Sequence, residues 1–261
     1  MPMPANPLIV IPARLAATRL PGKPLAPING VAMIAHVAAR ALQAAVGPVI
    51  IAAAERAIRD AVEATDFARL VGGAVPAGAV VVELTDPDLP SGSDRVWAAV
   101  QARDPEGRHD VIVNLQGDMP TIDPKVIKEV LRPLADPAVD IATLVAPIKD
   151  AAERDNPNVV KAILDLRQGA AIGRALDFTR AAPPGKGPHW HHIGIYAYRR
   201  GALARFVGLP QSPREIAAKL EQLRALDAGM RIDAAVVDTV PLGVDTPADL
   251  ERARALLRPD A

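Results

Sequence analysis

Along this chain, short continuous apolar runs alternate with segments whose apolar residues recur every three or four positions. Residues 8–11 form such a run, closed by Pro12, as a strand buried on both faces requires. In 31–45, "VAMIAHVAARALQAA", the spacing is helical, and Gly47 and Pro48 stop it. "VIIAAA" (49–54) predicts a second strand, 55–67 a helix, and "VVVEL" (80–84) another strand. "SDRVWAAVQA" opens with a Ser or Asp cap, Ser93 or Asp94, before a helical pattern, and "DVIVNL" (110–115) reads as a strand. Pro124 suits the first turn of a helix to about Leu134, before the strand "DIATLVAPI" (140–148). Strand–helix alternation of this kind predicts an α/β fold built on a mainly parallel sheet.

The middle of the chain departs from that rhythm. "NVVKAILD", "AAIGRALDF" and "HIGIYAYRR" are strand-like pieces joined by turns, one of them the rigid "APPGKGP" (182–188). They predict a smaller antiparallel insertion at about 155–215. Helices at about 213–228 and 246–257, with the strand "RIDAAVV" between, resume the earlier pattern. No internal repeat or low-complexity linker interrupts the 261 residues, which predicts a single domain over 1–261.

Composition narrows the function. No apolar run approaches a membrane span, and no charged start with an apolar stretch marks a signal peptide, so a soluble cytoplasmic protein is expected. The chain has no Cys, which excludes thiolate nucleophiles and cysteine-ligated metals. Thirty basic against thirty acidic residues argue against a general nucleic-acid or membrane-surface binder. Seven aromatic residues are too few to stack along a nucleic-acid strand. Ligand affinity must come from a few placed charges and backbone amides.

Three stretches carry candidate chemistry. "IPARLAATRLPGKPL" (11–25) leaves the C-terminal end of the first strand, where open α/β sheets bind ligands. It is not a Walker A loop, because Ala17 stands where Gly is needed and Pro24 where Ser or Thr is needed. Arg14, Arg19 and Lys23 suit a polyanion, but alone the stretch reads equally as a solvated basic loop. "NLQGDMP" sets Asp118 at a strand tip, where one carboxylate plus phosphate oxygens suits Mg²⁺, or where it satisfies turn amides. Asp245, before Thr246-Pro247, either caps a helix or brings a second carboxylate to the same metal. In "HWHH" (189–192), His189 and His191 share one strand face and His192 takes the other, and a zinc site lacks a further ligand. His192 is better suited to a polyol. No G-x-S-x-G elbow and no G-x-G-x-x-G after a strand occurs.

Taken in order, "IPARLAATRLPGKPLAPING", "SGSDR", "NLQGD", "NPNVVK", "HHIGIYAYR", "LEQLR" and "GVDTPADLERAR" resemble the 3-deoxy-manno-octulosonate (KDO) cytidylyltransferases. The resemblance runs from about residue 8 to 257. It implies a Rossmann-like nucleotidyltransferase (nucleotide-diphospho-sugar transferase) fold, Mg²⁺ dependence and a homodimer. It further implies transfer of CMP from CTP to KDO, with pyrophosphate released, for lipopolysaccharide biosynthesis. By motif, Arg14 and Lys23 would hold the CTP phosphates with help from Arg19, and Ser91 and Gly92 would lie against the nucleoside. Asp118 and Asp245 would bind Mg²⁺. Gln116, His192, Tyr196, Glu221 and Gln222 would line the sugar pocket, with Arg180 assisting at the KDO carboxylate.

Departures from the family pattern fall at defined places. Ala52-Ala53-Ala54 stands for A-T-D, which removes any base contact from that Thr or Asp. Met119 stands for Glu and leaves one fewer carboxylate near the metal; Ser93 and Asp94 stand for Thr and Glu, and His191 for Arg. Two other readings stay open: a cytidylyltransferase for another acidic sugar, against which Gln116, His192 and Tyr196 lean toward KDO, and a catalytically silent nucleotide- or sugar-binding paralogue, which the changes at 52–54 and Met119 motivate.

Overall fold

The computed structural model describes residues 6–16, 19–183 and 188–258, which divide into two compact units: residues 6–127 with the segment from 241, and residues 128–240. The central part of the predicted 182–188 turn, residues 184–187, lies outside the described residues, as does Ala17.

In the first unit the continuous apolar runs become β1 (Pro7–Ala13), β4 (Val49–Ala53), β5 (Val80–Leu84) and β6 (Val111–Asn114). They pair in the order β5-β4-β1-β6, all parallel, with Ile9 opposite Val49 on one side and Val113 on the other. Leu8, Ile9, Val10 and Ile11 are all buried, as a strand with neighbours on both edges and cover on both faces requires. Between β1 and β4 lie the two-residue strands β2 (Pro27–Ile28) and β3 (Val31–Ala32) and helix α1 (Met33–Ala44). The predicted helix loses its first two residues to β3. It ends on Ala45 in a left-handed conformation (φ 52°), before the Gly47-Pro48 stop is reached. The helix expected over 55–67 divides into α2 (Arg56–Glu63) and α3 (Phe67–Val71), because Asp66 accepts from the Arg69 N–H and starts a new helix. Helix α4 (Gly92–Arg103) begins at Ser91, and α5 (Pro124–Glu129) gives way to a 3-10 turn, Arg132–Ala135, that includes Pro133.

The second unit holds β7 (Ile141–Pro147), α6 (Ala151–Asp155), β8 (Lys161–Asp165), β9 (Ile172–Thr179) and β10 (Trp190–Arg199). After them come α7 (Arg200–Val207), α8 (Pro213–Ala218), α9 (Gln222–Asp227) and β11 (Ile232–Val236). Only β7 and β11 run parallel; β10 with β7, β11 with β9, β9 with β8, and β8 with β10 are antiparallel. These pairings close into a ring. The expectation of a mainly parallel sheet is therefore corrected to mixed pairing. The link between β8 and β9 is too short to hold the crossover a parallel pair needs.

The helix expected over 213–228 is also two helices. Lys219 adopts a left-handed conformation (φ 54°) and closes α8, so Glu221 and Gln222 sit at the start of α9. Across that break Arg224 makes two hydrogen bonds to Glu215, at 2.7 and 2.8 Å, with both side chains buried. Arg224 also stacks 5.0 Å from the Phe206 ring centre.

The chain then returns to the first unit as α10 (Pro247–Leu256). Ile28, Met33, Val244, Leu250 and Ala253 pack there in one apolar cluster, which fixes the segment carrying Asp245 against the start of α1.

Removing one member of the buried Arg224–Glu215 pair leaves an uncompensated charge in the interior. Glu215→Ala is expected to lower the unfolding free energy by about 3–5 kcal/mol, read from urea unfolding monitored by circular dichroism. A loss below about 1 kcal/mol, the range of an exposed ion pair, would contradict the burial argument.

Candidate active site

Strands β1 and β6 are parallel neighbours, so their C-terminal tips lie side by side and release the two loops that matter. The β1 loop is pinned at its start and at its end. Glu55 accepts from the Leu15 N–H with both carboxylate oxygens, at 3.0 and 3.2 Å. The Gly22 N–H then donates back to the Leu15 carbonyl, closing the loop. Gly22 itself is left-handed (φ 67°), a conformation natural to glycine, and starts the 3-10 turn Lys23–Leu25. Pro24 is buried, so the backbone of Lys23 is held at the base of its four-carbon stem.

The β6 loop approaches so closely that a side chain at its glycine would crowd its neighbours. A Cβ on Gly117 would stand 3.1 Å from the Pro12 carbonyl oxygen and 3.0 Å from Ile34. The next residue, Asp118, projects toward Lys23. Asp245 arrives from the C-terminal segment, where the Val244 N–H donates to the Asp118 carbonyl at 2.9 Å. Asp245 is not the cap of α10: Thr246 and Asp249 form a reciprocal capping box that satisfies the helix start. Its carboxylate is thereby left for other work.

That work is visible. Lys23 Nζ donates to Asp118 Oδ2 at 2.8 Å and to Asp245 Oδ1 at 3.0 Å, while Arg19 lies 3.0 Å from Asp245 Oδ2. Burial pulls the Lys23 ammonium down, but Asp118 and then Asp245 outweigh it and hold the group above the usual lysine value. These residues line a cleft of about 330 Å³ together with Arg14, Gln116 and Gly117. A second cleft of about 210 Å³ shares Pro12, Ala13, Arg14 and Gln116 and adds Leu89, Ser91, Gly92 and Arg95. Ser91 caps α4 by accepting from the Asp94 N–H, and Gln116 donates to Asn114 Oδ1.

The second unit gathers a different set. His192 is buried, and burial followed by the nearby His191 pushes it down to about 3, so it is neutral at physiological pH. The Thr143 hydroxyl lies 2.8 Å from the Ile195 carbonyl and 3.0 Å from His192 Nε2. Donation to the carbonyl makes it the acceptor of a proton on Nε2. Strand β10 is bulged there: Ile193 faces Leu144 and Tyr196 faces Thr143, leaving Gly194 and Ile195 extra. The two-residue slip keeps His192 and Tyr196 on one side, their rings 5.5 Å apart, with Phe178 4.8 Å from His192. Burial, then Tyr198 and Glu221, push the Tyr196 phenol well up, so it stays protonated. Gln222 is buried, and the Glu221 carboxylate lies 4.0 Å from Arg224.

Arg180 is turned to backbone: it donates to the carbonyls of Ala218, Lys219 and Pro157 at 3.0, 3.4 and 3.4 Å, closing the C-terminal end of α8. Lys161, fully buried, donates to the carbonyls of Asn156, Val159 and Arg180 and fixes that same corner. His191 pairs instead with Glu153, Nδ1 to Oε1 at 2.6 Å. Among the described residues no three His, Asp or Glu side chains gather closely enough to hold a metal ion. The sequence reading named residues that fall in both units: Arg14, Arg19, Lys23, Ser91, Gly92, Asp118 and Asp245 line the first unit's clefts, as does Gln116, expected with the sugar group, while His192, Tyr196, Glu221, Gln222 and Arg180 belong to the second unit. It missed Glu55, read only as a helix start, and Thr143, whose one signal was a hydroxyl inside an apolar strand.

The cytidylyltransferase family model matches residues 8–232. A 3-deoxy-manno-octulosonate cytidylyltransferase of Paramagnetospirillum magneticum is 62% identical over 97% of this chain and 98% of its own length. This chain belongs to the 3-deoxy-manno-octulosonate cytidylyltransferase family. A second family member, from Rhodospirillum centenum, is 63% identical over 98% of this chain and 95% of its own. The solved structure of CMP:2-keto-3-deoxy-manno-octonic acid synthetase complexed with CTP aligns with a TM-score of 0.83 at 39% identity, covering 97% of this chain and 98% of that one. No helix among the described residues is long and apolar enough to cross a membrane.

The neutral His192 carries a pH consequence. Its value is lower folded than unfolded, so the stability it contributes is complete above about 6.5 and is lost as pH falls toward about 3. Each proton taken up only on unfolding costs about 1.4 kcal/mol per pH unit in that window. His192→Gln is expected to flatten unfolding free energy against pH between pH 6 and pH 4, relative to wild type. An unchanged slope would show that the imidazole titrates normally.

Proposed function

We propose that the chain transfers CMP from CTP to the anomeric hydroxyl of KDO, releasing pyrophosphate and activating KDO for lipopolysaccharide biosynthesis. The observation that carries this reading is the Lys23–Asp118–Asp245 cluster, beside a second cleft that shares Arg14. A basic group for phosphate and two carboxylates for a metal stand together at parallel strand tips, on a chain of this family. In this reading the larger cleft takes the triphosphate and the smaller one the nucleoside against Ser91 and Gly92. The fold is then the Rossmann-like nucleotidyltransferase fold.

The chemistry sets two demands. An acidic sugar and a triphosphate repel each other, and negative charge grows on the departing pyrophosphate. Arg14, Arg19 and Lys23 answer both, most usefully where charge develops in the transition state. Asp118 and Asp245 would hold Mg²⁺, since carboxylate oxygens are the hard ligands that ion takes and the two stand on one cation here. When bound, that ion would neutralise phosphate charge and lower the sugar hydroxyl's pKa. On the sugar side, His192 and Tyr196 are uncharged hydrogen-bonding groups suited to hydroxyls. Glu221 and Gln222 supply further polar contacts, and Arg180 retains N–H capacity for the KDO carboxylate beyond its three carbonyl bonds. The chain's own groups act by positioning and charge, without a covalent enzyme intermediate. Homodimerisation and a cytoplasmic setting belong to the same proposal.

Pyrophosphate release measured with CTP and KDO, and with each omitted or replaced, tests the assignment. Release should require both; no release with KDO but release with an amino-KDO or a nonulosonate would move the substrate, and none with any acidic sugar would favour a silent paralogue. Lys23→Ala is expected to lower turnover roughly 10²–10³-fold in a folded protein, and near-normal turnover would remove Lys23 from the mechanism. Asp118→Asn should weaken the dependence on Mg²⁺, whereas an unchanged metal titration would return that carboxylate to the loop's own amides.

A further inference from the structure

The groups that would receive the substrate's negative charge and those that would receive a metal are, in this structure, bound to one another. Asp245 has one oxygen on Lys23 and the other on Arg19, and Asp118 gives Oδ2 to the same lysine. A Mg²⁺ ion bonds carboxylate oxygens at about 2.0–2.1 Å and demands near-octahedral geometry. An ammonium hydrogen-bonded to those oxygens stands in its place, and two cations sharing the pair would repel at short range. Neither a metal alone nor a triphosphate alone leaves the cluster compensated. A metal would expel the Lys23 ammonium from a half-buried position with no new anion to meet. A metal-free triphosphate would take Lys23 and leave two bare carboxylates facing phosphate.

We propose that Lys23 is the resident cation of the site: it holds Asp118 and Asp245 in the free protein and yields them to a divalent cation when a triphosphate takes its ammonium. This rests on the proposed nucleotide site and adds how metal and nucleotide entry are linked there. The surrounding frame is built for an exchange carried by one side chain. The Lys23 backbone is held by Gly22, the 3-10 turn and buried Pro24. The two carboxylate-bearing loops are tied by the Val244 N–H to Asp118 carbonyl bond. The flexible element among them is the lysine stem, which can turn from carboxylates to phosphates without either loop moving. Because the exchange favours metal and nucleotide arriving together, each raises the affinity for the other by the same factor.

Mn²⁺ titrated into the nucleotide-free protein, with free ion read by electron paramagnetic resonance, tests this without catalysis. Lys23→Met is expected to raise Mn²⁺ affinity roughly tenfold or more, within the usual range of site-to-site coupling, and Lys23→Arg to leave it near wild type. Adding Asp118→Asn to Lys23→Met should abolish the gain. Arg14→Met removes the same charge from the same cleft without a contact to either carboxylate, so its gain should be much smaller. Equal gains for Lys23→Met and Arg14→Met, or no gain for Lys23→Met, would overturn the proposal. Lys23→Gln serves as the second variant should Lys23→Met fail to fold. If CTP-dependent pyrophosphate release occurs while Lys23→Met leaves Mn²⁺ affinity unchanged, the exchange fails and the nucleotide site stands. If no nucleotide supports release, the functional reading itself fails.

Discussion

One ammonium holding two carboxylates is the contact on which the rest of the site depends. Lys23, Asp118 and Asp245 come from segments far apart in the chain, and each segment needs its own local device to reach the meeting point. The first needs Glu55 on the Leu15 amide and a left-handed Gly22. The second needs Gly117, because a side chain there would press on the Pro12 carbonyl. The third needs Thr246 and Asp249 to satisfy the helix start, so that Asp245 is not spent as a cap. Cation and carboxylates are thus stored against each other at low net charge, in a cleft that has to accept both a polyanion and a metal.

The second unit follows the opposite electrostatic plan. Its candidate sugar-facing groups are uncharged where they are deepest: His192 is kept neutral by burial and Tyr196 keeps its proton. Four of the chain's seven aromatic residues, Phe178, Tyr196, Tyr198 and Phe206, join His192 in one run of rings. The full charges there are directed into the scaffold. Arg224 meets Glu215, while Arg180 and Lys161 serve backbone carbonyls. Desolvated charge is tolerated in these positions because each has partners in place.

Much of this was legible in the sequence, for identifiable reasons. The strands of the first unit read as unbroken apolar runs because parallel strands are covered on both faces, and 8–11, 49–54 and 110–115 fall on β1, β4 and β6. Pro247 marked a helix start correctly, since proline placement is local chemistry, whereas α4 is capped by Ser91, two residues ahead of the expected Ser93 or Asp94. The helix breaks were hidden. Lys219 and Ala45 adopt left-handed conformations that neither residue type advertises, and Asp66 interrupts a pattern that remains periodic across it. Helix α7 passed unread although Ala202, Leu203 and Phe206 are spaced for one buried face. In the site, the residue types were legible but not their pairing. Nothing in "GKP" or "QGD" states that Lys23 and Asp118 touch, because that contact depends on strand order. The bulge between His192 and Tyr196 was signalled only by Gly194 within a strand.

The exchange at Lys23 is tested most directly by a crystal structure of this protein with CTP and Mg²⁺ bound and KDO withheld. It predicts that Asp118 and Asp245 ligate the metal and that Lys23 Nζ has left both for the triphosphate, with the 22–25 backbone unchanged. A bound complex in which Lys23 still bridges the two carboxylates at 2.8 and 3.0 Å would contradict it.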